Sequence, residues 1–156
     1  MKVLIANRGE IACRIIKTCK KLGLETVVLY TADEKFNLHV KQADYKIELP
    51  DGPFKNNYLN IDLIISKALE LNVKAIHPGY GFFSESAEAC LQFERAGIIW
   101  IGPSYQNISD MAKKHVSKNI AEKLNIPTCK YIIVKSIDDC VKAVEEIGYP
   151  VMLKIR

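Results

Sequence analysis

An alternation constrains this chain more than any single motif. Short apolar runs ("KVLIA", "TVVLY", "YKIEL", "VKAIH", "IIWIG") are separated by stretches in which apolar residues recur at helical spacing. In "GEIACRIIKTCKKLG", Ile11, Ile15, Ile16, Cys19 and Leu22 form one stripe, and Gly23 suits a left-handed stop behind it. A shorter helix is expected around "NLHVKQA". Asn60 is placed to cap "IDLIISKALELN", with Ile61, Ile64, Ile65, Ala68 and Leu71 as its buried stripe. Ser84 is placed to cap "ESAEACLQFERAG". Strands joined by helices of this length must pair in parallel with right-handed crossovers. Residues 1–103 are therefore predicted to form a doubly wound, Rossmann-like parallel sheet.

The pattern changes after Pro103. "NISDMAKKHVSKNIAEKLN" predicts a pair of helices ending before Pro127, so residues 104–128 read as a helical linker. Residues 129–156 then predict a strand "KYIIV", a helix "SIDDCVKAVEEIG" and a strand "YPVMLKI". Ser136-x-x-Asp139 opens that helix like a capping box and Gly148 closes it. Strand, helix and strand alone cannot bury both faces of a sheet. This segment is expected to be the truncated start of a second, incomplete α/β lobe.

Hydrophobic residues make up 49% of the chain and charged ones 26%, the balance of a soluble globular protein. The formal net charge of +4 has no basic tract interleaved with aromatics, so no nucleic-acid partner is expected. The five cysteines, Cys13, Cys19, Cys90, Cys129 and Cys140, form no C-x-x-C and predict apolar packing in a reducing compartment. Met1 runs directly into "KVLIA", so neither a signal peptide nor a membrane span is expected ahead of the domain, and a cytoplasmic location is.

In an open parallel sheet, ligands bind outside the carboxyl ends of the strands. Three loops rich in turn residues fall there: "NRGE", "HPGYGF" and "GPS". The first lacks the G-x-G-x-x-G of dinucleotide sites, keeping only Gly9, although Asp33 follows the second strand. Gly9 suits the tight turn into the helix, and Arg8 is either a solvated cation or the holder of a carboxylate. His77 is a hydrogen-bonded structural histidine or a base, the structural role being favoured. No serine or cysteine nucleophile has a visible partner, and no histidine spacing suggests metal. Gly79 and Gly81 flank Tyr80 and permit conformations that turn its ring outward as a flat face for a planar ligand; the other reading packs that ring beneath the loop. Lys113, Lys114 and Lys118 lie on or near one helix and read as a solvated face. Lys154 follows an apolar strand expected to be buried, so its ammonium must reach water or a partner such as a phosphate.

Together, "LIANRGEIACRI", "YLNIDLII", "LHVKQAD", "HPGYGFFSES" and "WIGPS" resemble the amino-terminal domain of biotin carboxylase, the ATP-grasp component of biotin-dependent carboxylases. The resemblance is close from residue 2 to about 114 and loosens beyond. It implies MgATP-dependent activation of bicarbonate and carboxylation of biotin on a carrier protein. It also implies a carboxyltransferase as partner and a homodimer of the full enzyme. By position, Lys114 resembles a linker lysine that contacts nucleotide phosphates. Lys154 resembles the strand lysine of the ATP-grasp small lobe, and Tyr80 a tyrosine lying against biotin. Arg8, Gly9, His77, Gly79 and Gly81 would then shape the rim of the site. The groups that bind magnesium and activate bicarbonate belong downstream in the family, so this chain alone is expected to hold no catalytic residue and to be inactive.

The sequence also departs from the family pattern. Ala112 and Lys113 stand where glycine and aspartate usually precede the linker lysine. Ile155 and Arg156 replace the expected small and glycine-rich continuation, and the Pro-Gly turn of the small lobe is missing. Lys17 and Lys21 place two cations on the helix face used for dimerisation in bacterial relatives. Two further readings remain open at this point: a non-catalytic interaction module derived from such an enzyme, and an unrelated nucleotide-binding Rossmann domain.

Overall fold

The computed structural model describes residues 1–154; Ile155 and Arg156, where the sequence departs from the expected continuation, lie outside the described residues. The chain divides into two compact units, residues 1–109 and 110–156.

The first unit holds five parallel strands: β1 (Lys2–Ile5), β2 (Glu25–Tyr30), β3 (Tyr45–Glu48), β4 (Ala75–His77) and β5 (Ile99–Trp100), in the spatial order β3-β2-β1-β4-β5. Its helices are α1 (Gly9–Lys21), α2 (Leu38–Gln42), α3 (Ile61–Glu70) and α4 (Ala87–Arg95). The central strand shows why the sheet is covered twice. Val3 and Ile5 pack with Ala12, Ile15, Ile16 and Cys19 of α1, while Leu4 and Ala6 pack with Ile64 and Ala68 of α3 and Phe93 of α4. Successive side chains point to opposite faces, so an uninterrupted apolar run feeds two cores at once.

Local signals mostly do what the sequence predicts. The Asn60 side chain accepts the Leu63 N–H at 3.1 Å and caps α3. Two details differ. Leu22 is exposed, because it terminates α1 with its N–H turned back to Thr18 and Cys19, and Ala12 takes a place in the buried stripe. Ser86, not Ser84, caps α4, since Phe82–Glu85 forms a separate 3₁₀ turn before that helix begins.

The second unit is helical where described. α5 (Tyr105–Ala112) runs into it, followed by α6 (Lys114–Lys123) and α7 (Ile137–Ile147). Ser136 caps α7 by accepting the Asp139 N–H at 3.1 Å, and Gly148 closes it. The Asp139 carboxylate accepts from Lys135 N rather than from the cap residue, so the box is displaced by one position.

The two strands expected at "KYIIV" and "YPVMLKI" do not form among the described residues. A strand needs a lateral partner for its N–H and C=O groups, and among the described residues neither segment joins a sheet. The side chains follow suit: Met152 is 81% and Leu153 74% exposed, where a buried strand was expected. Cys129 is exposed too, against its expected role in packing.

Candidate functional site

The strand order reverses at β1. The chain winds outward through β2 and β3, then returns to the other side of β1 for β4 and β5. The crevice at the carboxyl ends of β1 and β4 is therefore the switch point, where this class of fold binds ligands. The loops that meet there are "NRGE" and "HPGYGF", which carry Arg8, Gly9, His77, Gly79, Tyr80 and Gly81.

A residue the sequence reading passed over joins them. Asn7, 1% exposed, donates from Nδ2 to the carbonyls of Pro78 and Tyr80, each at 2.9 Å. Its Oδ1 accepts the Arg8 N–H at 3.0 Å. His77 adds a second tie, its Nδ1 accepting the Gly79 N–H at 3.0 Å. Burial, with the positive charge of Arg14 adding to it, lowers the His77 pKa, in keeping with a neutral ring that accepts at Nδ1. His77 is thus held in a structural bond.

Gly79 lies directly over the Asn7 amide, where a Cβ would stand 2.5 Å from Nδ2, and its φ of +69° is left-handed. Gly81 shares that region at φ +66° but has open space around it. Between them Tyr80 is 66% exposed, and among the described residues its side chain makes no hydrogen bond or ring pair. The alternative that packed Tyr80 under the loop does not hold. The rings that pack inward are those of Phe82 and Phe83; Phe82 stacks on Tyr58 with ring centroids 5.3 Å apart, at an uncommon positive φ of 41°. Gly9 opens α1 at φ +58°.

Arg8 does hold a carboxylate, and it is an internal one. Its Nη1 lies 2.7 Å from Oε1 of Glu34, which is 4% exposed. The guanidinium also stacks over the Phe54 and Tyr58 rings. Oε2 of Glu34 accepts from the Tyr58 hydroxyl and from the backbone and hydroxyl of Thr31. Burial by itself would raise the Glu34 pKa; the bonds from Tyr58, Arg8 and Thr31 outweigh it and hold the carboxylate below its usual range. Burial and the Glu34 carboxylate push the Tyr58 phenol far up, so it stays protonated and donates. Beside Arg8 an open depression of about 590 Å³ is lined by Thr31, Asp33, Asp51 and Phe54. Burial also pushes the Cys13, Cys19 and Cys90 thiols up, against any of them serving as a nucleophile.

Lys114 and Lys154 belong to the second unit. Lys114 is the first residue of α6 and is exposed. Lys154 is exposed in a segment without secondary structure. Lys118 is not a free surface cation: its ammonium donates to the Cys129 carbonyl at 2.9 Å and lies over the Tyr131 ring. Among the described residues no three His, Cys, Asp or Glu side chains are grouped to hold a metal, and no helix is long and apolar enough to cross a membrane.

The family described as "Biotin carboxylase, N-terminal domain" matches residues 1–108. The mitochondrial propionyl-CoA carboxylase alpha chain of Sus scrofa is 43% identical over 98% of this chain and 21% of its own length. The 2-oxoglutarate carboxylase small subunit of Hydrogenobacter thermophilus is 43% identical over 98% of this chain and 33% of its own. Among solved structures, the biotin carboxylase domain dimer of the Hydrogenobacter thermophilus 2-oxoglutarate carboxylase, in complex with MgADP, ADP and bicarbonate, superposes with a TM-score of 0.89 at 42% identity. It covers 96% of this chain and 33% of that one. The biotin carboxylase subunit of pyruvate carboxylase gives a TM-score of 0.81 at 44% identity, over 96% and 33%. The chain therefore spans about a fifth to a third of the length of these relatives. An unrelated Rossmann protein is excluded, and the chain belongs to the biotin carboxylase family, as its amino-terminal portion.

Proposed function

We propose that this chain supplies the first domain, and the opening of the nucleotide-binding lobe, of an enzyme that carboxylates biotin on a carrier protein with ATP and bicarbonate. The observation that carries this reading is the loop after β4, tied down at Pro78, Gly79 and Tyr80 while the Tyr80 ring stays open to solvent. A flat aromatic face on a fixed backbone suits the planar ureido ring of biotin. Arg8, Gly9, His77, Gly79 and Gly81 shape the rim behind it.

Lys114 and Lys154 are the residues this chain would offer to nucleotide phosphates, each a mobile point charge on a long stem. Among the described residues no three His, Cys, Asp or Glu side chains are grouped as a magnesium ion would need, and no step through that metal is assigned to them. We assign no catalytic residue among the described ones, since the groups that activate bicarbonate are expected downstream of this portion. The partners of the complete enzyme would be a biotin carboxyl carrier and a carboxyltransferase, and a second copy could meet the exposed α1 face that bears Lys17 and Lys21.

One observation favours the alternative of a non-catalytic interaction module. Ile137, Tyr149, Met152 and Leu153 are exposed in the second unit, large apolar side chains of the kind a protein partner covers. The two readings separate in a purified preparation of the chain. Bicarbonate- and biotin-dependent ATP hydrolysis is expected to stay at background, and turnover above it would refute the assignment of no catalytic residue. Calorimetric titration with ATP is expected to show binding that Lys114→Ala and Lys154→Ala weaken; silence toward ATP, with co-purification of a carboxylase, would favour the module.

A further inference from the structure

We propose that Asn7 is a positioning residue that sets where Tyr80 is presented. The proposal rests on the reading of Tyr80 as a wall for biotin and assigns what holds that wall in place. Among the described residues the Tyr80 ring makes no hydrogen bond or ring pair, so nothing of that kind anchors it there and its place follows from its backbone. That backbone is fixed through the Tyr80 carbonyl, and the group fixing it is the Asn7 amide.

The chemistry of the position explains the residue type. The carbonyls of Pro78 and Tyr80 must both find donors on the same side of the loop. A side-chain amide carries two N–H donors on one nitrogen and an acceptor beside it, and a serine or aspartate in the same volume cannot match that set. Here all three roles are used, because Oδ1 takes the Arg8 N–H while Nδ2 serves both carbonyls. Gly79 completes the arrangement by leaving room for the amide beneath it. The residue follows directly on the central strand, where Val3, Leu4, Ile5 and Ala6 are buried, so the clamp is mounted on a strand paired on both sides.

Asn7→Asp keeps the shape and the acceptor but removes both donors. The test is NMR on the full chain, with backbone order parameters at residues 79–81 and saturation transfer between free biotin and the Tyr80 ring. In the parent chain the loop is expected to be rigid, with order parameters of about 0.85; in Asn7→Asp they should fall to below about 0.6. The biotin signal should fall about three- to tenfold, as expected when one or two net hydrogen bonds are lost. Ile64→Val, on the buried face of α3, should lower stability yet leave both readouts unchanged, which separates positioning from mere stability. If Asn7→Asp does not fold, Gly79→Ala lifts the loop off an intact Asn7 and should give the same two losses. Unchanged order at 79–81 in whichever variant folds, or equal losses in Ile64→Val, would overturn the proposal. Tyr80→Ala distinguishes the two levels: if it leaves the biotin signal intact, the biotin reading of Tyr80 fails, while the order parameters still decide whether Asn7 holds the loop.

Discussion

Arg8 and Glu34 form a 2.7 Å ion pair in which the carboxylate is buried and the guanidinium half-exposed. The pair fastens the turn after β1 to the 3₁₀ turn after β2, and Tyr58 bonds the same carboxylate from the segment before α3. The arginine at the rim of the crevice is thus committed to the fold. Replacing it should therefore act on stability. Arg8→Ala leaves Glu34 without its charged partner and should cost about 1.5–3 kcal/mol. Arg8→Lys should restore only part, since an ammonium lacks the planar fork and stacks poorly on Phe54. Urea unfolding followed by Trp100 fluorescence checks both, and a neutral Arg8→Ala would contradict the role given to the pair.

Stability should fall on acidification in two stages. His39 is fully buried, and its pKa is lowered by desolvation despite the bond from Nε2 to the Leu29 carbonyl; that of His77 is lowered mainly by burial. With folded values below the ordinary 6.5, the unfolded chain binds more protons, so stability declines as pH drops below about 6.5. The Glu34 contribution has the same sign and falls in a lower pH window. Its folded pKa is depressed, so it is present above the unfolded value near 4.5 and is lost as pH falls through the folded one. Urea midpoints should be level from pH 8 to 7, decline toward pH 5 and fall further below about 4.5. A midpoint that holds steady between pH 7 and 5 would sink the histidine part.

Gly79 and Gly81 have nearly the same backbone angle, +69° and +66°, and different surroundings. Alanine at either position should cost about 1–2 kcal/mol from conformation alone. Only at Gly79 does the new methyl group meet the Asn7 amide, so Gly79→Ala should be clearly the more destabilising of the two. Thermal melts of the two variants side by side give the comparison, and equal losses would show that the amide yields.

The two units should not resist opening equally. Ala143 is the only buried hydrophobic residue among those described in 110–154, whereas the first unit has two covered sheet faces. Amides of the second unit should exchange first, and limited proteolysis should cut between residues 124 and 135 while residues 1–109 persist. Matching protection across both units would show that the second is stabilised by more than its described contacts.

What could be read in advance follows the range of the forces involved. Asn60 and Ser136 cap helices through bonds to backbone three residues away, so their neighbours in sequence reveal them. The cap of α4 fell at Ser86 because a 3₁₀ turn, set by Phe82 packing on Tyr58, intervened. Among the rim residues, Arg8, His77 and Tyr80 stood out by type in turn-rich loops. Asn7, Glu34 and Tyr58 did not, since their partners lie up to 73 residues away in sequence and no local period marks such a pairing. A polar residue ending a fully apolar strand was the one signal that could have pointed to Asn7.

By itself the sequence determined the alternation of strand and helix, and with it a parallel sheet whose binding rim lies at the carboxyl ends, because apolar periodicity and crossover handedness act over short stretches of chain. Tertiary structure alone decided which polar groups that rim uses internally. It turned Arg8 toward Glu34, placed the Asn7 amide under Gly79 and left the Tyr80 ring open. It also left "KYIIV" and "YPVMLK" without strand structure, because a strand exists only when another backbone lies beside it to take up its hydrogen bonds.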